Sequence, residues 1–138
     1  MTVKTFVDTN VLIFAYDLDA GEKHRKAKDA VQALWDSNNG VVSAQVLEEF
    51  YVNVTRKIPQ PLSKQQGLEL IQDYLSWETV GIHGGMVAEA AQMEEQLNIS
   101  FWDAMIVVSA QRSGADLLLS EDFQSGRQFG SLMVQSPF

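Results

Sequence analysis

Short apolar runs alternate with amphipathic helical segments along the chain, and this alternation limits the fold more than any other feature. Strands are predicted at residues 3–7, 41–42, 79–82, 116–120 and 132–134. Helices are predicted over 22–36, from Ser43, from Ser63, after Gly84 and over 100–110. Such alternation predicts an α/β fold with a central, mainly parallel sheet and helices on both faces. At 138 residues and 46% hydrophobic content, residues 1–138 are expected to form one domain.

Two acidic residues follow strands that would be neighbours in such a sheet. Asp8 comes directly after the first run and Asp122 comes after the run that ends at Ser120. Open α/β sheets bind ligands at the carboxyl ends of their strands, so both acids are expected near a binding crevice. Clustered carboxylates raise one another's pKa and imply a compensating cation, and oxygen ligands select Mg²⁺ or Mn²⁺. Each acid also has a structural explanation, as a turn residue or a helix cap.

The charge balance restricts how this chain can bind nucleic acid. It has 18 acidic and 10 basic residues, a net charge of −8, which argues against broad attraction to phosphates, so any such contact must be local. Basic residues gather in two places, and these are the candidates for RNA contact: Lys23, Arg25, Lys26 and Lys28, then Arg56 and Lys57. The alternative for the first group is a solvated helix face.

Several classes of protein are disfavoured by composition. The chain has no cysteine, which excludes disulfides, thiolate zinc sites and a cysteine nucleophile. His24 and His83 lie outside any functional string. The longest apolar stretch, residues 104–110, is far shorter than the ~20 residues of a membrane-spanning helix. The start of the sequence lacks the pattern of a signal peptide, so a cytoplasmic protein without a membrane partner is expected.

Four local strings become more informative together than any one of them. In chain order they read FVDTNVL from Phe6, SAQVLEEF from Ser43, FWDAMI from Phe101 and LLSEDF from Leu118. In order and spacing they resemble the PIN-domain ribonucleases, particularly the VapC-type toxins of type II toxin–antitoxin systems. The resemblance spans nearly the whole chain and implies a PIN-like domain.

That resemblance implies a site, an activity and partners. The family's acids carry over to Asp8, Glu49, Asp103 and Asp122 as catalytic residues and metal ligands, with Thr9, Asn10 and Ser120 supporting them. Glu49 is favoured over Glu48 because the family's glutamate usually precedes an apolar residue. The implied activity is Mg²⁺- or Mn²⁺-dependent endoribonuclease cleavage of tRNA or other translation-related RNA. The implied partners are a cognate antitoxin and a second copy in a homodimer.

Two other functions remain open at this point. A metal-dependent phosphohydrolase with an aspartyl nucleophile would normally carry a second Asp two positions after Asp8, where this chain has Asn10. A non-catalytic RNA- or protein-binding module on the same fold is the other, because fold does not establish activity. Phe101 and Trp102 are expected to pack in the core or an interface rather than to stack on RNA.

Overall fold

A six-stranded sheet forms the centre of the molecule, as seen in a computed structural model that describes residues 3–138. The strands are β1 Thr5–Val7, β2 Gly40–Ser43, β3 Glu78–Val80, β4 Leu117–Leu119, β5 Gln128–Phe129 and β6 Leu132–Gln135. Their order across the sheet is β3-β2-β1-β4-β6-β5. Every neighbouring pair is parallel except β5 with β6. The predicted α/β fold with a mainly parallel sheet is therefore confirmed.

Six helices cover the two faces of the sheet. They are α1 Thr9–Phe14, α2 Glu22–Ser37, α3 Ala44–Arg56, α4 Lys64–Tyr74, α5 Gly84–Leu97 and α6 Phe101–Arg112. Serine caps begin three of them: Ser43, Ser63 and Ser100 each accept a hydrogen bond from a backbone N–H of the first turn. These caps satisfy donors that the helix leaves free. The helix starts predicted at these serines are confirmed.

The prediction of a strand over residues 3–7 is wrong at its start and incomplete at its end. The strand begins at Thr5, and Asp8 is the N-cap of the six-residue helix α1. The sequence predicted a turn here and offered a helix cap only as an alternative for Asp8, because the apolar residues of β1 and of α1 follow each other with one short polar interruption. Val11 and Leu12 of this helix are fully buried. Tertiary packing thus stabilises a helix too short to be stable alone.

Helix α6 runs through the interior, as its nearly continuous apolar sequence predicts. Every residue from Ala104 to Ala110 is buried. Ile106, Val107 and Ala110 belong to the core around the sheet, while Met105 and Val108 pack with α5. Because α6 is enclosed on several sides, its first turn is held at a fixed position against the sheet. That turn carries Asp103.

One element of the sheet has no counterpart in the predictions. Strand β5 pairs antiparallel with β6 through a short connection in which Gly130 has a φ of 64°. This left-handed conformation favours glycine. A strand of two residues is too short for the alternation of polar and apolar residues to reveal it.

Among residues 3–138, no helix is long and apolar enough to span a membrane.

Gly40 of β2 marks a close approach between the sheet and Trp77. A Cβ atom built on Gly40 would lie 2.5 Å from the Trp77 ring, which is far inside van der Waals contact. Trp77 in turn packs against Trp35 and Tyr74, with ring centroids 5.1 and 4.9 Å away. The ring therefore has little room to move aside.

We expect Gly40→Ala to lower the free energy of unfolding by about 1–3 kcal/mol through overpacking. Gly81→Ala is the matched control, because open space surrounds a Cβ at Gly81. Urea unfolding monitored by circular dichroism measures both variants. Equal stability of the two variants would contradict this account of the Trp77 packing.

Candidate active site

All four predicted acids line a single cleft of about 200 Å³: Asp8, Glu49, Asp103 and Asp122. They come from four different segments: the end of β1, the middle of α3, the first turn of α6 and the loop after β4. The cleft therefore lies at the carboxyl end of the parallel strands, where the alternation of elements placed a binding crevice. The structure brings the four positions to one cleft, and their assignment as site residues stays a prediction.

Asp8 is the most deeply placed of the four. Its side chain is 4% exposed, its Oδ1 accepts a 2.7 Å hydrogen bond from the Thr9 backbone N–H, and its Oδ2 accepts a 2.7 Å bond from Ser120 Oγ. Burial raises the pKa of the Asp8 carboxyl to about 7, and the negative charges of Asp122 and Asp103 act in the same direction. The two hydrogen bonds oppose this rise only in part.

Ser120 joins the first and last acids of the set. Besides donating to Asp8, its Oγ accepts a 3.0 Å hydrogen bond from the Asp122 backbone N–H. The Ser120 hydroxyl is fully buried, so its orientation is fixed by these two partners. The sequence suggested a supporting role for Ser120, and the contacts fit that role.

Asp122 is also destabilised as an anion. Partial burial raises the pKa of its carboxyl, and the charges of Asp103 and Glu121 raise it further. The nearby Asn10 side chain lowers this pKa. Yet the buried Asn10 amide makes no well-formed hydrogen bond in the described part of the chain. The contact with Asp122 is therefore too loose to satisfy the amide, and Oδ1 of Asn10 has no partner among the described residues.

Asp103 and Glu49 form the more open side of the cleft. Asp103 is half-buried, and its backbone N–H donates a 3.0 Å hydrogen bond to the Ser100 cap. Glu49 is exposed, and Thr9 Oγ1 donates to Glu49 Oε1 at 3.3 Å. Glu48 does not line this cleft; it faces an adjoining groove with Ile82 and Trp102. The preference for Glu49 over Glu48 agrees with this placement.

The donor set of the cleft fits a hard divalent cation. Its ionisable groups are all carboxylates, and neither histidine lies there. Within residues 3–138, no three acidic or histidine side chains are drawn close enough to form a ready-made metal site. The acids line the cleft without closing on one point. Two of the carboxyls nevertheless have raised pKa values, and Oδ1 of Asn10 has no hydrogen-bond partner within residues 3–138. A bound cation would stabilise the charged form of these carboxyls and could accept this oxygen as a ligand.

Five further side chains line the cleft that the sequence did not single out as site residues: the apolar Ile13 and Ile106, and Gln45, Asn53 and Trp102. Gln45 and Asn53 lie four residues before and after Glu49, so they share its face of α3. That spacing was a usable signal once Glu49 was chosen. Trp102 is 66% exposed, which excludes core packing for this residue; packing in an interface, the other expected possibility, stays a prediction.

The basic cluster of α2 is partly occupied by internal contacts. Lys23 Nζ lies 2.8 Å from Glu121 Oε2 and sits over the rings of Phe14 and Phe138. Lys23 thereby ties α2 to the loop that carries Asp122. Arg25 pairs with Glu22 and Asp29 of its own helix.

The other four basic candidates, Lys26, Lys28, Arg56 and Lys57, are exposed. Within residues 3–138 they form no salt bridge. A wider groove of about 540 Å³ lies elsewhere, beside Tyr16, Trp35 and Tyr74. It contains a single acid, Asp73, so it offers no comparable carboxylate set.

Comparison with known proteins identifies one matching family model and several solved structures with the same fold. The family model of the PIN domain matches residues 5–126, a span that contains all four cleft acids. No curated protein matches the sequence at a significant level.

Solved structures share the fold at low sequence identity. A toxin–antitoxin complex from Klebsiella pneumoniae superposes with a TM-score of 0.70 at 21% identity, covering 97% of this chain and 98% of that one. VapC20 from Mycobacterium tuberculosis, a sarcin-ricin loop cleaving toxin, gives 0.65 at 18%, covering 86% and 89%. DNA-bound VapBC from Salmonella typhimurium gives 0.68 at 13%, covering 99% and 100%.

The raised pKa of Asp8 predicts how stability changes with pH in the metal-free protein. The ordinary pKa of an Asp carboxyl is 3.8, and the pKa of Asp8 in the folded protein is about 7. Between these two pH values, only the folded state holds the proton. Stability therefore falls as pH rises from 4 to 7, by on the order of 4 kcal/mol for this group. Asp8→Asn removes that decline.

Urea unfolding in EDTA at pH 4.5 and pH 8 measures this effect. We expect Asp8→Asn to be the more stable protein at pH 8, with a smaller difference at pH 4.5. If the free energy of unfolding changes with pH in the same way for both proteins, the charged Asp8 carboxylate does not destabilise the fold.

Proposed function

The chain belongs to the PIN-domain family, and from that premise we propose that it is a metal-dependent endoribonuclease acting at the acidic cleft. The observation that carries the proposal is the convergence of Asp8, Glu49, Asp103 and Asp122 from four segments on one cleft. Two of these carboxyls have raised pKa values, and neither Asp8 nor Asp122 is needed to form its strand. A site that destabilises its own charges in this way is suited to a cation and a phosphodiester.

Asp8, Asp103 and Asp122 would hold the cation, Mg²⁺ or Mn²⁺, with Glu49 completing the set. When bound, a divalent ion supplies charge neutralisation at a phosphate oxygen and lowers the pKa of a water for in-line attack on phosphorus. The buried carboxylate of Asp8 is aimed by Ser120 Oγ and the Thr9 N–H. These contacts fix both oxygens before any ligand arrives.

Glu49 differs from the buried Asp8 in its environment and in its proposed role. It is exposed, its Oε1 accepts a hydrogen bond from Thr9 Oγ1, and its other oxygen accepts none from the described residues. Its other oxygen can orient the attacking water and take its proton. No covalent enzyme intermediate is required. A role for Asp8 as nucleophile fits less well, because both of its oxygens already accept hydrogen bonds and position 10 is Asn.

We extend the proposal to a VapC-type toxin that acts in the cytoplasm on tRNA or other translation-related RNA. Shared fold with VapC20, a sarcin-ricin loop cleaving toxin, supports this substrate class. The toxin–antitoxin complexes among the structural matches support a cognate antitoxin. We add a homodimer to the proposal on the family resemblance alone. An antitoxin that places a basic side chain in the acidic cleft would neutralise it, and such binding would weaken with salt.

Cleavage of total RNA tests the proposed activity. We expect the protein to cut RNA with Mg²⁺ or Mn²⁺ and not with EDTA, and Asp8→Asn to lose roughly 100-fold or more of the rate. Asp116→Asn is the control, because this exposed acid lies at the opposite, amino end of β4. Metal-dependent cleavage that survives in Asp8→Asn would overturn the site. No cleavage by the parent would favour a binding module.

The two adjacent glutamates permit a matched comparison. Glu49→Gln should slow cleavage by roughly 100-fold or more, because the amide cannot take a proton from the attacking water. Glu48→Gln should leave the rate within about 3-fold, because Glu48 faces the adjoining groove and proton transfer does not involve it. Single-turnover rates at saturating protein separate this effect from RNA binding. The reverse order of the two variants would assign the role to Glu48.

A further inference from the structure

We propose that Trp102 is a stacking platform for a nucleobase that flanks the cleaved phosphate, an inference that rests on the proposed ribonuclease function. Trp102 precedes Asp103 in the first turn of α6 and is 66% exposed. Its side chain lines the acidic cleft on one side. On the other side it lines a groove of about 320 Å³ with Ile82 and Glu48. A base next to the reacting phosphate would lie on this boundary.

The backbone that carries Trp102 is anchored, and its ring has one aromatic contact. The ring of Phe101 packs edge-on against it, with centroids 5.1 Å apart and planes at 78°. The Trp102 carbonyl accepts a 3.4 Å hydrogen bond from Gln45 Nε2, and Ser100 caps the helix that carries both rings. Less conformational entropy is lost when a base stacks on a side chain whose backbone is fixed than on one in a mobile loop.

The acidic groove beside Trp102 favours contact with an uncharged part of the RNA rather than with a phosphate. The groove beside Trp102 is lined by Glu48 and Glu49, and the chain carries a net charge of −8. Two cations of the α2 cluster, Lys23 and Arg25, are paired with acids. Phosphate attraction is therefore weak here, and stacking on an aromatic ring is a source of affinity that does not depend on charge.

A polar atom that lacks a hydrogen-bond partner among the described residues lines the same groove as Trp102. Gln45 is 6% exposed, and its Oε1 has no hydrogen-bond partner in the part of the chain described. Gln45 lines both the acidic cleft and the Trp102 groove. A ligand with an aromatic face and N–H donors at its edge would meet both features, and nucleobases have this combination.

A second copy of the chain is a less suitable occupant. The exposed apolar surface in this groove is limited to Trp102 and Ile82, and two glutamates flank it. In a symmetric contact the same patch of both copies would meet, with each residue facing a different residue of the partner's patch. Two glutamates from each copy would then share one interface. A nucleobase avoids that repulsion.

Binding of defined oligonucleotides tests the platform in an Asp8→Asn background, which keeps the RNA intact. The probes are a 12-nucleotide oligoadenylate and a 12-nucleotide ribose-phosphate strand without bases. We expect Trp102→Leu to weaken oligoadenylate binding ~10- to 100-fold, while Trp102→Phe stays within about 3-fold because it keeps an aromatic face. Binding of the base-free strand should be the same in all three proteins.

Fluorescence gives a second readout, which would not change if Trp102 had only a structural role. Oligoadenylate should quench the emission of the Asp8→Asn protein, and the quenching should disappear in Trp102→Phe although binding persists. Trp77 is buried, and Trp35 lines a groove separate from the acidic cleft, so quenching by RNA bound at the cleft reports on Trp102. In the cleaving protein, Trp102→Leu should raise KM more than it lowers kcat, because stacking acts equally before and during reaction.

Leu18→Ala is the control, because Leu18 is 65% exposed but does not line the acidic cleft or the Trp102 groove. Equal oligoadenylate binding with and without Trp102, whether strong or absent, would overturn the inference. So would a loss of dimer in Trp102→Leu at unchanged RNA affinity, which would assign the ring to an interface between copies. If total RNA is cleaved and Trp102 has no effect, only this inference fails. If Trp102-dependent binding occurs without cleavage, only the ribonuclease activity fails.

Discussion

The parallel pairing of β1 with β4 determines where the acidic residues meet. Thr5, Phe6 and Val7 lie opposite Leu117, Leu118 and Leu119, and the next pair in this register is Asp8 with Ser120. Ser120 Oγ donates to Asp8 Oδ2 at 2.7 Å and accepts from the Asp122 N–H. A register shift of one residue would separate these groups, because successive side chains point to opposite faces. The sheet therefore sets the relative positions of two of the four acids.

The other two acids reach the same cleft because helices begin close to neighbouring strands. Helix α3 starts directly after β2, which pairs with β1, and its Ser43 cap aims Glu49 toward Thr9. Helix α6 is buried along most of its length, which fixes Asp103 at its first turn. Folding thus gathers carboxylates whose mutual repulsion and burial raise pKa values at Asp8 and Asp122. The folding free energy of the rest of the domain offsets this local destabilisation.

Much of this arrangement was predictable from sequence, for identifiable reasons. Strand ends are local signals, and they placed Asp8 and Asp122 at one edge of the sheet. The Ser100 cap and the continuous apolar run of α6 placed Asp103 in the first turn of that helix, but its membership of the site came from family resemblance. The choice of Glu49 over Glu48 came from family resemblance, because both residues fall off the apolar stripe of α3. Helix α1 and strand β5 escaped prediction because each is too short for a periodic pattern. The exposure of Trp102 depends on which face of α6 the core covers, and that is set by long-range packing.

Cation binding by the four cleft acids is the property on which the proposed activity depends, and titration with Mn²⁺ followed by electron paramagnetic resonance measures it. We expect the parent protein to bind Mn²⁺ and Asp8→Asn and Asp122→Asn each to weaken binding by at least 10-fold. Asp116→Asn, altered at the far end of β4, should bind as the parent does. Equal Mn²⁺ binding by the parent and all three variants would show that these acids do not form a cation site.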